Sequence, residues 1–164
     1  MLAYYIFKIY VYWVILLKRM KPEETVDYNV KVCWHAIARM YNLQAAKFDI
    51  TTSIGFVLLN IHPQEGTPAT KIAPKMGLEA RSLTRILKSM EEDGLIYKVG
   101  DAVDKRSVRI FLTEKGLEKK ELARQTVRIF NQKVREQIPE ADLAIFFKVI
   151  GQINNLVDGK EIYK

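Results

Sequence analysis

Arg81, Ser82, Thr84, Arg85 and Lys88 fall within one eight-residue stretch of the chain. An arginine fork can pair bidentately with guanine O6 and N7, a lysine is a point charge for phosphate, and Ser and Thr hydroxyls reach bases or phosphates. The spacing sorts these residues by face. At about 100° per residue, Arg81, Arg85 and Lys88 fall roughly 140–200° from Leu83, whereas Ile86, Leu87 and Met90 fall within about 60° of it. A helix here presents its cations opposite an apolar stripe that anchors it, and Ser82 and Thr84 flank that stripe. Any solvated surface helix can carry such a face, so the spacing alone leaves both readings open. A second basic group follows. Lys105, Arg106 and Arg109 lie in or beside a polar stretch, with Asp104 two residues before Arg106. An arginine at a hairpin tip suits the deep negative potential of a narrow minor groove, and the aspartate can hold its guanidinium. Taken alone, this is also an ordinary charged turn.

Enzymatic chemistry has no foothold. The chain lacks a Gly-rich phosphate loop, a nucleophile elbow and a Cys/His cluster. The carboxylates Glu91, Glu92 and Asp93 read as helix-end solvation. His35 and His62 are the only histidines and Cys33 the only cysteine, so no metal site and no cofactor are expected. A lone cysteine excludes an internal disulfide and fits a reducing cytoplasm.

The elements that must position these residues follow from periodicity and punctuation. Residues 24–47 read as a helix with a stripe of Val26, Val30, Cys33, Trp34, Ile37, Met40 and Tyr41. Residues 51–61 read as a second helix through Ile54, Val57, Leu58 and Ile61. After the turn 62–66, Thr67-Pro68 looks like an N-cap with proline at the first helical position. That helix runs to about Met76 and is short or distorted, because Pro74 removes a backbone donor. The basic helix spans 79–93 and closes at Gly94. Residues 95–99 and 107–112 read as two strands of a hairpin joined by residues 100–106. Thr113-Glu114 opens a helix to about Gln137. Pro139 starts a last one, with Leu143, Phe146, Phe147, Ile150, Ile153 and Val157 on one face. Helix–turn–helix followed by a hairpin is the arrangement of a winged helix-turn-helix. The fold class is mainly α (α+β). The terminal helices carry more apolar surface than so small a unit covers, so they are expected to form a dimer interface.

Composition has to be read in two parts. The 164 residues carry a net charge of +7 and are 49% hydrophobic, which excludes a disordered or collagen-like chain. Residues 1–17 contain sixteen apolar or aromatic residues, with Lys8 the exception. The leading expectation is a dispensable extension, translated from a start chosen too early, since Met20-Lys21-Pro22-Glu23-Glu24 makes a conventional beginning. A membrane anchor and an extra packed helix are the alternatives. Seventeen residues reach only the lower end of a span, and Lys8 is costly there. The expected organisation is an extension at 1–19 and one unit at 20–164. Within that unit, dimerisation helices lie at about 24–47 and 114–158, and the DNA-binding lobe lies at about 51–113. Residues 68–113 hold nine cations against six acids.

Two motifs then carry a resemblance. Gly94-Leu95-Ile96 followed by Asp104-Lys105-Arg106-x-x-x-x-x-Leu112-Thr113-x-x-Gly116 resembles the wing and following helix start of the MarR family. Lys75-Met76-Gly77-Leu78-x-x-x-Ser82-x-Thr84-Arg85 resembles its helix-turn-helix. The similarity covers about residues 22–158. It implies a cytoplasmic homodimer on pseudo-palindromic double-stranded DNA, with recognition helices in successive major grooves and wings in the flanking minor grooves. It also implies a repressor relieved by a small-molecule effector or an oxidant. Lys98 departs from the pattern, since many members carry arginine at the base of the wing, and Pro74 is unusual in the first helix of the motif.

The resemblance places an effector around Trp34, His35, Tyr41 and Phe56, although aromatics at helical spacing are more often plain core. Cys33 invites comparison with the peroxide-sensing branch, with Tyr41 eight residues on; the commoner role of such a cysteine is a buried structural thiol. Other readings of the whole chain are a winged-helix protein-interaction module that does not touch DNA and a membrane-tethered regulator. A membrane is a partner only if residues 1–17 are a real anchor.

Overall fold

The structure, a computed structural model, describes residues 20–100, 108–160 and 162. It divides into two compact units at Thr52. The first holds a 3-10 turn, Pro22–Glu24, and helix α1, Val26–Ala46. The capping-box glutamate, Glu24, reaches back to the Lys21 amide at 3.1 Å. Of the seven residues in the expected α1 stripe, only Tyr41 is buried. Val26, Val30, Cys33 and Trp34 are exposed and Ile37 and Met40 half-buried, so the N-terminal half of this stripe is uncovered.

The second unit runs from Ser53. Its elements are α2 (Thr52–Asn60, beginning at the boundary), β1 (Thr67–Pro68), α3 (Ala69–Lys75), α4 (Ala80–Glu92), β2 (Ile96–Gly100), β3 (Val108–Leu112), α5 (Glu114–Gln137) and α6 (Glu140–Asp158). The three strands form an antiparallel sheet in the order β1-β3-β2. Ile96 pairs with Leu112 and Tyr97 with Phe111. The Tyr97 and Phe111 rings stack across the strands with centroids 5.4 Å apart. Val57, Leu58, Ile72, Met90 and Ile110 are fully buried, and Leu83, Leu87, Leu95 and Ile96 nearly so. Burying each of these side chains stabilises by about 1.5–3 kcal/mol. The core residues of α4 are Leu83, Leu87 and Met90, three of the four expected, while Ile86 is half-buried.

The expectation for Thr67-Pro68 was wrong. The pair is an edge strand, with Thr67 opposite Ile110 and Pro68 opposite Arg109. The Thr67 hydroxyl accepts from the His62 amide at 2.9 Å and donates to the Asn60 carbonyl at 3.3 Å, so it is not capping a helix. Proline suits an edge, where one amide faces away from the ladder. The short helix did follow: α3 has seven residues with Pro74 inside it.

Both helix-turn-helix helices end in Schellman motifs. In α3, the Leu78 amide donates to the Ala73 carbonyl at 3.1 Å across Gly77. In α4, the Leu95 amide donates to Met90 at 2.8 Å across Gly94. Gly94 has φ +67°, a conformation open to glycine at little cost. This stop turns the chain directly from α4 into β2.

The last helix differs from the sequence expectation. Only Leu143 of its six expected face residues is buried. Phe146 and Phe147 are 53% and 54% exposed and contact each other edge-to-face at 5.6 Å. Ile145, Val149 and Leu156 are exposed as well. Among the described residues no helix is long and apolar enough to cross a membrane; residues 1–17 lie outside them.

Candidate nucleic-acid interface

Helix α4 presents Arg81, Ser82, Thr84, Arg85 and Lys88 to solvent while Leu83, Leu87 and Met90 are buried. The face read from the sequence therefore exists as a surface. Two details change its chemistry. The Thr84 hydroxyl donates to the Ala80 carbonyl one turn back at 2.9 Å, so outward it offers a methyl group and acceptor lone pairs rather than a proton. Lys88 lies 3.7 Å from Glu92, both exposed. An exposed pair of this kind is weak and leaves Lys88 free to turn to another anion.

The acidic end of α4 has a structural partner. Glu91 Oε2 accepts from Lys98 Nζ at 2.5 Å, tying the base of the hairpin to the end of the helix. The Glu91-Glu92-Asp93 cluster is thus more than helix-end solvation: Glu91 takes Lys98 and Glu92 takes Lys88. Lys98 has no bidentate fork, but it needs none for this single contact.

Asp104, Lys105 and Arg106, the expected wing tip, lie outside the described residues. Arg109 is described, and it does not belong with them. It sits within β3, and its Nη1 donates to the Glu65 carbonyl at 3.0 Å. It fastens the turn 62–66 to the sheet, and strand register explains why: Pro68 is opposite Arg109, which brings the turn just before β1 alongside.

The motif Leu112-Thr113-x-x-Gly116 has a plain mechanical origin. Thr113 is the N-cap of α5; its hydroxyl accepts from the Gly116 amide at 3.0 Å and donates to the Gly94 carbonyl at 2.7 Å. A Cβ on Gly116 would stand 2.0 Å from the Leu95 carbonyl oxygen. The spacing thus locks the start of α5 onto the junction between α4 and β2.

One residue was missed. Lys120 is 6% exposed, and its ammonium donates to the carbonyls of Leu58, Leu59 and Ile61 at 2.8, 3.0 and 2.6 Å. It caps the C-terminal end of α2 with a positive charge, where helix carbonyls lack partners. Burial, and then the Arg124 guanidinium, hold its pKa below the ordinary lysine value. A signal existed: Lys120 follows Gly116 by four and precedes Ala123 by three, on the inward stripe of α5.

The expected effector residues do not share one environment. Trp34 and His35 are exposed, Tyr41 is buried with its phenol pKa raised by that burial, and Phe56 is half-buried in the other unit. Cys33 is exposed rather than buried. Eight residues place Tyr41 about 80° around the helix from it, which accounts for one being exposed and the other buried. Among the described residues, no group of three or more His, Cys, Asp and Glu could hold a metal ion.

Helices α3 and α4, the hairpin behind them and the cap of α5 define a winged helix-turn-helix protein. A family model described as "MarR family" matches residues 50–108, so this stretch of the chain, which holds the helix-turn-helix, is similar to that family. The transcriptional regulator TtmR of Methylorubrum extorquens is 35% identical over 94 residues. That alignment spans 57% of this chain and 48% of TtmR, so the chain covers about half of that relative's length. Among solved structures, a MepR–DNA complex of S. aureus superposes with TM-score 0.74 at 23% identity, covering 80% of this chain and 97% of that one. PcaV of Streptomyces coelicolor, solved with its natural ligand, gives TM-score 0.73 at 18% identity, covering 84% and 97%. At those identities the structural matches establish the fold.

Proposed function

We propose that this protein is a sequence-specific DNA-binding transcriptional regulator of the MarR type. It works as a cytoplasmic homodimer on pseudo-palindromic operators and acts as a repressor relieved by a small ligand. The observation that carries this reading is the exposed Arg81–Ser82–Thr84–Arg85–Lys88 face of α4, set opposite a buried stripe in a winged helix-turn-helix. A relative named as a transcriptional regulator and a similarly folded protein solved on DNA support it; the ligand-bound PcaV supports an effector.

In this reading α4 enters the major groove. Arg81 and Arg85 read base edges, Ser82 and the acceptor side of Thr84 contact bases or phosphates, and Lys88 neutralises phosphate. Arg106, steadied by Asp104 and aided by Lys105, enters the minor groove. The dimer buries the exposed stripe of α1 and the apolar surface of α6, which are too extensive for scattered surface residues. The domain plan is a DNA-reading lobe at about 51–113 between dimerisation helices at 24–47 and 114–158.

The direct test is fluorescence anisotropy of the purified chain on duplex DNA across a salt series. Binding whose logarithm falls linearly with the logarithm of salt concentration, with a slope set by the phosphates neutralised, supports the reading. The absence of salt-dependent binding to any duplex pool would overturn it.

A further inference from the structure

The exposed face of α4 is chemically uneven. At about 100° per residue, Ala80 and Thr84 fall roughly 60° and 100° from Leu83 on one side, and Ser82 falls roughly 100° from it on the other. Arg81 and Arg85 lie between, at roughly 160–200°. All five are exposed. The cations therefore have a serine hydroxyl along one edge and the side chains of Ala80 and Thr84 along the other.

Thr84 belongs with Ala80 because of its own hydrogen bond. Its hydroxyl donates to the Ala80 carbonyl at 2.9 Å, and a threonine hydroxyl has a single proton to give. The bond turns the oxygen back toward the preceding turn of α4. It also fixes χ1, and in a β-branched residue that fixes the methyl group as well. Two contacts with a base remain open to such a side chain. The oxygen can accept from an amino group, on adenine N6 or cytosine N4, or the methyl can meet the 5-methyl of thymine. The neighbour decides between them. Ala80 stands one turn before Thr84, and side chains at i and i+4 lie one above the other on a helix. The two methyl groups make one apolar spot at the edge of a charged face. An amino group set against that spot gives up water, whereas a thymine methyl gains by leaving it. Both residues lie in the first turns of α4, Ala80–Glu92. That end of such a helix meets base edges in a major groove.

We propose that Ala80 and Thr84 form a thymine-reading spot, in which their methyl groups receive the 5-methyl of one thymine in each half-site while the arginines beside them pair with guanine. This rests on the reading of α4 as the helix that enters the major groove, and it names a base which that helix selects. It extends to modified DNA. 5-Methylcytosine carries its methyl at the same ring position as thymine, so it offers the spot the same group where unmodified cytosine offers none.

The experiment starts from the duplex that the purified full chain selects out of a random pool. Each thymine of that duplex is replaced in turn by deoxyuridine, which lacks only the 5-methyl, and affinity is read by fluorescence anisotropy. Wild type should lose about fourfold at one thymine position of the half-site, the effect of one methyl group left in water. Thr84→Ser keeps the hydroxyl and its bond to Ala80 but lacks the methyl. It should bind the thymine duplex about fourfold more weakly and lose most of the deoxyuridine penalty. Thr84→Val keeps a methyl and should keep the penalty. At the same position, 5-methylcytosine should bind about fourfold better than cytosine in wild type but not in Thr84→Ser. Both variants should retain the wild-type circular dichroism spectrum and salt slope, since neither removes a cation.

Indifference to deoxyuridine at every position, or a penalty undiminished in Thr84→Ser, would overturn the proposal and leave the regulator reading standing. So would weakened binding in Thr84→Val with none in Thr84→Ser, the pattern of a polar contact. A chain that enriches no sequence and shows no salt-dependent binding to duplex DNA removes the regulator reading, and this proposal with it.

Discussion

The Lys120 ammonium donates to the Ile61 carbonyl at 2.6 Å, reaching from α5 to the residue just after α2. With the Leu58 and Leu59 carbonyls beside it, this one side chain closes the end of a helix that carries much of the core. Replacing it with methionine keeps the stem and strands the carbonyls. Lys120→Met should therefore destabilise the fold by about 2–3 kcal/mol, lowering Tm by about 2–4 °C for each of these in a chain of this size. Thermal melts followed by circular dichroism check this; an unchanged Tm would mean that water replaces the ammonium without loss.

The same group sets a pH dependence. Burial lowers the Lys120 pKa from its ordinary 10.5. As pH rises toward 10.5, the folded chain gives up this proton before the unfolded chain does. The unfolded state then binds more protons, so the Lys120 contribution grows with pH in that window. Urea melts at pH 7 and pH 10 should show the stability gap between wild type and Lys120→Met widening at the higher pH. A gap that narrows would mean the three carbonyls raise the pKa instead.

Gly116 and Gly55 make opposite predictions. Gly116→Ala drives a Cβ to 2.0 Å from the Leu95 carbonyl oxygen and should cost about 2–4 kcal/mol. Gly55→Ala meets Ala123 Cβ at an ordinary 3.8 Å within a helix and should gain about 0.5–1 kcal/mol. Equilibrium denaturation of the two variants compares them directly.

On DNA, three substitutions should separate by kind. Arg85→Ala should cost about 1–3 kcal/mol on the preferred site and relax the base preference. Lys88→Ala should weaken all sequences alike and reduce the salt slope by about one. Arg106→Ala should cost about 1–3 kcal/mol, lost mainly on A·T-rich flanks, with the dimer intact. Anisotropy titrations on matched and shuffled duplexes distinguish the three patterns.

The exposed Phe146 and Phe147 belong to the proposed dimer face. Phe146→Glu should convert the chain to a monomer in analytical ultracentrifugation and weaken DNA binding through loss of the second half-site. A dimer that survives this change places the interface elsewhere.

Much of this architecture was legible because local rules act on single elements. The α4 stripe, the glycine stops at Gly77 and Gly94 and the cap at Thr113 all depend on residues within one turn of each other. What escaped depends on pairs distant in sequence. Thr67-Pro68 has the composition of a helix start, but register against Ile110 and Arg109 makes it a strand. Arg109 lies near the wing in sequence, yet its carbonyl partner is 44 residues away. Lys120 looked like any charged helix residue because its three acceptors lie about 60 residues upstream. The stripes of α1 and α6 are apolar faces, as their spacing implies, but in the single chain they are mostly uncovered.

The central claim is that the α4 face reads DNA as one half of a symmetric pair. Selection of bound sites from a random duplex pool by the purified chain tests it most directly, because affinity, symmetry and spacing are read together. The account predicts enrichment of a pseudo-palindrome whose half-sites are separated by about one helical turn, roughly 10–10.5 base pairs, and loss of the consensus in Arg81→Ala/Arg85→Ala. An unenriched pool, or a consensus unchanged in that double variant, would contradict it.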